Sequence, residues 1–427
     1  MLGYSRHVPV RATKRGDERT PLDGDHDVLI CGASFAGLAV ARELAGSGAR
    51  VMVLDRYEIG ERQTSACAAP TEWLLNLGLG DAMRQTFREL VIHTPHTSAR
   101  MKLPWTFSTF DYRELCRLLW EQCDAEFETA KIHGRATSDK NRARNKNRAT
   151  SSASRPGVPG SGEGRRDSLE ANGGVGAPLL IETDRGTLGA PLVVDALGWK
   201  RVLAGADGYQ PPDAPLSRGL EVHPSGSADE LEIWIDRDYV PAGYGWSFPA
   251  RDEVRVGVGS FDPRHHVKEP TVRLAEDLER DAVRYQGNWI PHKLRPATAD
   301  GVFFAGDSAG HCLPLTAEGI RTALYFGIAC GRELRRVVEG RATRDDALRA
   351  YAAFSAAHEW QFNWMLRTQR AVPKVPPRLL AAALRWPLSS DAFVRWSFTH
   401  YLNVAPPSFA LEPSPSKPRD DAVPVAT

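Results

Sequence analysis

Gly32, Ser34 and Gly37 stand in the order of a phosphate-binding turn. They separate a short apolar run, Asp27–Cys31, from apolar residues at helical spacing, Leu38, Ala41, Leu44 and Ala45. Backbone N–H groups at such a helix start can meet a pyrophosphate, because the N-terminus is the positive end of the helix dipole. Gly32 permits the tight turn, and Gly37 lets helix and strand pack closely. Phe35 and Ala36 lie between them and share the turn. Ser34 replaces the glycine that usually comes nearest the pyrophosphate; it is small, and its hydroxyl can donate to a phosphate. Arg50–Leu54 reads as the next strand, and Asp55, followed by Arg56, ends it where a carboxylate can bind ribose hydroxyls. The bland alternative is an ordinary strand–helix–strand turn that binds nothing. The acidic residue at the right distance favours a dinucleotide.

Two later segments narrow the choice. Val193–Gly198 follows a hairpin pattern, Leu179–Thr183 and Thr187–Leu192 about the turn Asp184–Gly186, and ends at Gly198. It resembles the D-A-x-G strand of two-dinucleotide-fold flavoproteins, which implies FAD as the cofactor. Val302–Ala305 is a further apolar strand, followed directly by Gly306 and Asp307, whose carboxylate can accept hydrogen bonds from a ribityl chain. Pro314 to Gly319 then opens a helix at Ile320, with Ala323, Leu324, Gly327 and Ile328 at helical spacing. Its N-terminus is expected to face the flavin ring and favour negative charge there.

At these residues the chain resembles the geranylgeranyl reductase family, within the p-hydroxybenzoate hydroxylase-like flavoproteins. The narrower resemblance rests on Pro241-Ala242-Gly243-Tyr244-Gly245-Trp246-Ser247-Phe248-Pro249, followed by Val256-Gly257-Val258-Gly259. The family pattern is P-x-x-Y-x-W-x-F-P-K, and Ala250 here replaces the lysine. Ser65-Ala66-Cys67-Ala68-Ala69-Pro70 is the second family-like segment, with alanines where the family has glycines. The resemblance runs from about Asp27 to about Gly340. It implies hydride transfer from reduced flavin to a C=C bond of an apolar isoprenoid or lipid-like substrate, with Cys67, Tyr244, Trp246 and Phe248 at the substrate pocket.

Each of these residues has a plainer reading. Tyr244, Trp246 and Phe248 alternate along a strand and share one face; that face lines a tunnel or is simply sheet core. Cys67 is a proton donor, a redox-active thiol or a small buried apolar residue. His311 and Cys312 follow the Gly-Asp pair, where a structural role is preferred. The scaffold also hosts monooxygenases and halogenases acting through a flavin hydroperoxide, which is the alternative function. Tyr244–Pro249 matches the halogenase W-x-W-x-I-P segment only in part. The electron source is NAD(P)H or a separate reductase.

These residues need a scaffold. The 427 residues suffice for two domains or one with a large insertion, and 42% are apolar. The fold class expected is α/β: a Rossmann-like FAD-binding domain (26–340, made of about 26–90, 105–205 and 296–340) with an inserted antiparallel β-sheet substrate domain (about 91–104 and 206–295). A helical C-terminal region, 341–410, follows. Arg344–Trp364 reads as helix, and a second amphipathic stretch runs from Arg378 to Leu402. Its aromatic and basic residues suit a peripheral membrane contact, but a helical cap on the substrate domain is the preferred reading.

Composition bounds the rest. Six cysteines without a C-x-x-C pair give neither a disulfide framework nor a metal site. Residues 1–25 are expected to be a disordered polar tail, and 411–427 another. The net charge of +1 hides a basic segment, where ten cations from Lys131 to Arg166 face only Asp139 and Glu163. Residues 137–177 therefore read as a disordered insertion in a surface loop. A non-catalytic flavin-fold protein binding through that insertion is the reading from another class; nucleic acid is a disfavoured partner. No apolar run reaches membrane-span length and the N-terminus lacks a signal-peptide core, so a cytoplasmic location is expected, with the inner membrane face as an alternative.

Overall fold

The computed structural model describes residues 20–22, 24, 26–63, 66–136, 177–204, 215–386 and 388–411. The N-terminal tail, nearly all of the basic insertion and the last sixteen residues lie outside them, so the disorder expected there, and the binding role given to the insertion, fall outside the described residues.

Three sheets carry the site. The first has the order β16-β17-β10-β1-β2-β6. Its strands β1 (Val28–Cys31), β2 (Val51–Asp55), β6 (Glu126–Thr129), β10 (Leu192–Asp195) and β17 (Val302–Phe304) run parallel. Only the edge strand β16 (Thr298–Ala299) is antiparallel. β1 and β10 are buried along their whole length, which is why both read as unbroken apolar runs rather than alternating ones. Helix α1 (Phe35–Glu43) connects β1 to β2 as the turn pattern requires, and α2 (Thr71–Asn76) and α3 (Tyr112–Trp120) follow later in the chain.

The second sheet has the order β15-β11-β14-β13-β12-β4-β5-β3. It joins β3 (Ala68–Pro70), the long hairpin β4 (Met83–Thr94) and β5 (Thr97–Phe110), and the later strands β11 (Leu216–Val222), β12 (Glu232–Trp234), β13 (Gly243–Pro249), β14 (Val254–Ser260) and β15 (Gln286–Pro291). Its pairings are antiparallel except β12 with β4, which is parallel. Those two strands belong to separate excursions of the chain, so no hairpin turn dictates their relative sense. A small antiparallel sheet, β7 (Ile132–Arg135), β8 (Leu179–Thr183) and β9 (Gly186–Ala190), completes the set.

One face of the second sheet is closed by helix α4 (Lys268–Asp277), which buries Leu274 and Ala275 against Val254, Val256 and Val258. The other face is left for the cavity described below. Helix α5 (Ile320–Val338) crosses α1 closely: a Cβ on Gly327 would stand 2.7 Å from the Ala36 carbonyl oxygen. That crossing ties the starts of α1 and α5 to one side of the first sheet.

The C-terminal region is four helices. The stretch from Arg344 to Trp364, helical in pattern, is helical and consists of two helices, α6 (Arg344–Ala356) and α7 (Glu359–Ala371), separated at Ala357–His358. The second stretch is also two, α8 (Pro377–Arg385) and α9 (Asp391–Leu402). Ser390 caps α9 through Phe393 N–H, which separates it from α8. Leu384 and Val394 bury against Ala99 and Met101 of β5, so α8 and α9 do cap the second sheet.

Candidate functional site

The three Gly-rich segments meet at the C-terminal edge of the parallel sheet. Ala196 N–H donates to the Cys31 carbonyl at 2.7 Å, and Ala305 N–H donates to the Asp195 carbonyl at 3.0 Å. Asp195 locks them together. Its buried carboxylate accepts from Leu197 N–H (3.0 Å), Leu203 N–H (2.7 Å) and Ser308 Oγ (2.7 Å). Burial pushes its pKa up against the pull of those donors.

The first turn is built for close approach. Gly32 adopts φ +114°, and a Cβ there would lie 2.2 Å from the Ala196 carbonyl oxygen. A Cβ on Gly37 would lie 1.9 Å from the Gly32 carbonyl oxygen. Both glycines therefore form the wall from behind rather than lining it. Ser34 is the N-cap residue of α1 but makes no cap bond; its Oγ accepts from Tyr112 Oη at 3.1 Å. α1 has no acidic residue in its first turn. Its N-terminal end opens on a cavity lined by Ala33, Ser34, Phe35 and Ala36, a setting that attracts an anion. Phe35 belongs more to the core, packed edge-on against Phe110 and Tyr112.

Asp55 and Arg56 line the same cavity. Asp55 Oδ2 accepts from Ala33 N–H at 2.8 Å and Oδ1 from Tyr57 N–H at 3.0 Å. A carboxylate has lone pairs left after two such bonds, so hydroxyl donors can still be taken. Burial raises its pKa. Asp307, beyond the third segment, differs: its carboxylate takes no hydrogen bond from the described residues, and burial pushes its pKa up to about 6. It faces the cavity beside Gly306 and Gly198. An unpartnered acceptor aimed into a cavity fits a ligand rich in hydroxyl donors, as a ribityl chain is.

Gly319 and Ile320 bring the start of α5 to the cavity, again with no side-chain cap and no acid in the first turn. Pro314 is set back from the wall, whereas Leu315 and Ala317 line it in the left-handed region at φ 69° and 51°. Such backbone in non-glycine residues costs on the order of 1 kcal/mol each and persists only where the surroundings enforce it. The enforcement here comes from the C-terminal region. Leu315 N–H donates to Gln369 Oε1 at 2.8 Å. Glu318 pairs with the fully buried Arg321 at 2.8 Å, and Arg321 donates on to the Leu402 and Ala405 carbonyls at 2.8 and 3.1 Å. These residues fit a flavin dinucleotide: uncapped helix starts for the phosphates and ring, and carboxylates with acceptor capacity to spare for the sugar hydroxyls.

The cavity continues past that site. Its volume is about 1530 Å³, above the roughly 300–1,000 Å³ of a single-ligand pocket. Tyr244, Trp246 and Phe248 all line it from β13, while Gly245, Ser247 and Pro249 between them are buried on the opposite face. Met101, Leu103, Trp105 and Phe107 line it from β5, also at alternate positions. The result is an apolar branch running from the flavin motifs to the cap made by α8 and α9.

Cys67 is a further residue of the cavity wall. It is fully buried and holds φ 51°. Burial drives its thiol well above the ordinary value, so it is a protonated thiol at neutral pH. Arg255 pins its loop by donating to the Ala66 and Cys67 carbonyls at 2.9 and 3.1 Å. Ala250, in place of the family lysine, is buried and supplies no cation.

Sequence reasoning passed over several of these groups. Tyr112 holds Ser34, and Arg218 lies 4.8 Å over the ring of Trp289 in the cavity wall; neither carries a local signal. The alternation of Met101, Leu103, Trp105 and Phe107 was legible and points to the apolar branch. His311 takes the structural role preferred for it: its Nε2 pairs with Ser355 Oγ at 2.9 Å and its ring stacks on Phe326 at 3.8 Å. Cys312, by contrast, reaches the cavity. Among the described residues no cluster of metal-ligating side chains occurs.

No family model matches the chain. A digeranylgeranylglycerophospholipid reductase of Methanothrix thermoacetophila is 29% identical over 204 residues, 43% of this chain and 51% of the relative. The chain thus spans about half the length of that relative. Digeranylgeranylglycerophospholipid reductase 3 of Methanosphaera stadtmanae is 23% identical over 374 residues, covering 78% of this chain and 83% of its own. Among solved structures, a geranylgeranyl bacteriochlorophyll reductase-like protein of Thermoplasma acidophilum superposes with TM-score 0.71 at 15% identity, over 91% of this chain and 98% of the other. A probable FAD-dependent monooxygenase of Pseudomonas aeruginosa superposes at 0.60 with 18% identity, over 84% and 99%. At such identities the structures establish a shared fold. By sequence the chain is similar to curated geranylgeranyl reductases, and it shares its fold with these solved flavoproteins.

Proposed function

We propose that the chain is an FAD-dependent reductase that saturates a carbon–carbon double bond in an apolar isoprenoid or lipid-like substrate. The observation that carries this reading is one continuous cavity, polar and helix-capped at Asp55 and Asp307, apolar along Tyr244, Trp246, Phe248 and the cavity face of β5. FAD, when bound and reduced, supplies the hydride equivalent. Everything else falls to the protein. Asp55, Asp307 and the starts of α1 and α5 hold and orient the dinucleotide. The aromatic face of β13 and the strip on β5 hold the substrate chain and keep water from the reacting bond.

The balance needs one hydride and one proton for each double bond lost. Cys67 is our candidate to hold that proton: its thiol is buried, protonated and in the cavity wall. It would pass the proton to the carbon that does not receive hydride and recover one from water. The spent reducing equivalents are restored by NAD(P)H or a separate reductase.

The test uses the FAD-loaded protein with dithionite as reductant and a geranylgeranyl-chain lipid, with products read by mass. The reading expects pairs of hydrogens added to the chain. Unaltered lipid alongside a fully reduced, FAD-loaded protein would overturn it.

A further inference from the structure

Five of the nine large apolar side chains exposed among the described residues fall between positions 360 and 396: Trp360, Trp364, Leu379, Trp386 and Trp396, at 58–75% exposure. They sit on α7, on and just past the end of α8, and in the middle of α9. Water-exposed tryptophan is costly, and four in one helical region need a reason. Trp360, Trp364 and Trp396 are at once exposed and part of the cavity wall, so they stand at its mouth. Trp360 and Trp364 stack in parallel, their ring centroids 6.4 Å apart.

Charge says what meets this surface. Between residues 359 and 403 the exposed cations Arg367, Arg370, Lys374, Arg378, Arg385 and Arg395 face only Glu359 and Asp391, a net +4 in a chain whose total is +1. A second copy of the chain would set like charge against like, which disfavours self-association through this face. An anionic bilayer offers the complement: tryptophan prefers the headgroup level, and arginine and lysine are attracted to anionic lipid.

We infer that α7, α8 and α9 form a docking surface for an anionic phospholipid bilayer, with the cavity mouth seated on it. The inference rests on the apolar-substrate reading and adds a route for that substrate. Behind the mouth, Leu380, Leu384, Val394 and Phe398 line the wall toward the apolar branch. A lipid chain can leave the bilayer and enter that branch without crossing water. No helix among the described residues is long and apolar enough to cross a membrane, so the contact is interfacial.

The experiment is co-sedimentation of the FAD-loaded protein with phosphatidylcholine vesicles, with and without phosphatidylglycerol. No turnover is measured, so a failure here leaves the reductase reading standing. The wild type is expected to bind the phosphatidylglycerol vesicles and to be released by salt. Leu379→Ser/Trp386→Ser, both outside the cavity wall, should abolish binding with the visible flavin spectrum unchanged. Arg378→Gln/Arg395→Gln should weaken it by roughly fivefold per cation. Wild-type protein left in the supernatant with both vesicles would overturn the proposal. So would double variants that bind like the wild type, or a dimer in sedimentation velocity that Leu379→Ser/Trp386→Ser dissociates.

Discussion

The Glu221 carboxylate accepts a hydrogen bond from the Trp246 indole Nε1 at 3.2 Å while its other oxygen pairs with His223 Nε2 at 2.8 Å. Glu221 and His223 are both buried. The ring it holds lies flat on β14, where a Cβ at Gly257 would come within 2.2 Å of Trp246 Cζ2. The spacing of Trp246 and the two glycines of Val256-Gly257-Val258-Gly259 is therefore one device: the glycines make the bed and Glu221 fixes the ring in it.

That relationship predicts a split in kinetics. Glu221→Gln keeps the shape but loses the charge-assisted bond, worth about 1.5–3 kcal/mol. The expected outcome is KM for the apolar substrate raised about tenfold or more, with FAD affinity unchanged, measured by steady-state assay and flavin titration. Equal loss of FAD binding would show that the residue only supports the fold.

Asp307 gives a pH dependence. Its carboxyl has a pKa of about 6 through burial. Hydroxyl donors on a bound ligand stabilise the charged form and lower that value, so binding releases protons. FAD affinity should therefore be constant above about pH 6 and fall below it, by up to about tenfold per pH unit. Fluorescence titration of the apoprotein checks this. Asp307→Asn should bind more weakly at neutral pH and lose the dependence.

Arg321 is fully buried and bridges Glu318 to the last helical turn before Ala405. Arg321→Met strands the Glu318 charge, a change that costs on the order of 3–5 kcal/mol. A lowered Tm is expected, with faster FAD loss on gel filtration because the loop from Pro314 to Gly319 loses its anchor. A melting curve and flavin content like the wild type's would contradict the clamp.

Cys67 is tested by Cys67→Ala. Loss of a positioned proton donor typically lowers turnover about 10²–10⁴-fold. The expected effect lies in kcat, with substrate and FAD binding retained. Unchanged turnover would make water the proton source.

Much of the dinucleotide half was legible in the sequence because its constraints are local. Gly32, Gly37 and Asp55 fall within one strand–helix–strand unit, and backbone sterics force those residue types. The apolar half was legible only in part. Tyr244, Trp246 and Phe248 share a face by strand period alone, but whether a cavity or a core faces them depends on α4 covering the other side. Glu221 and Arg255 act across strands and have no periodic signal. The break at Ala357–His358 was hidden because helical pattern continues through it. The C-terminal clamp on Leu315 and Arg321 could not be read at all, since it joins residues up to 84 positions apart.

The most direct measurement is anaerobic stopped flow: reduced, FAD-loaded protein mixed with a geranylgeranyl-chain lipid while flavin absorbance is followed. The account predicts reoxidation without oxygen, at a rate that depends on lipid concentration, and a product carrying two more hydrogens. Flavin that stays reduced until oxygen is admitted, with oxygen then found in the product, would contradict it.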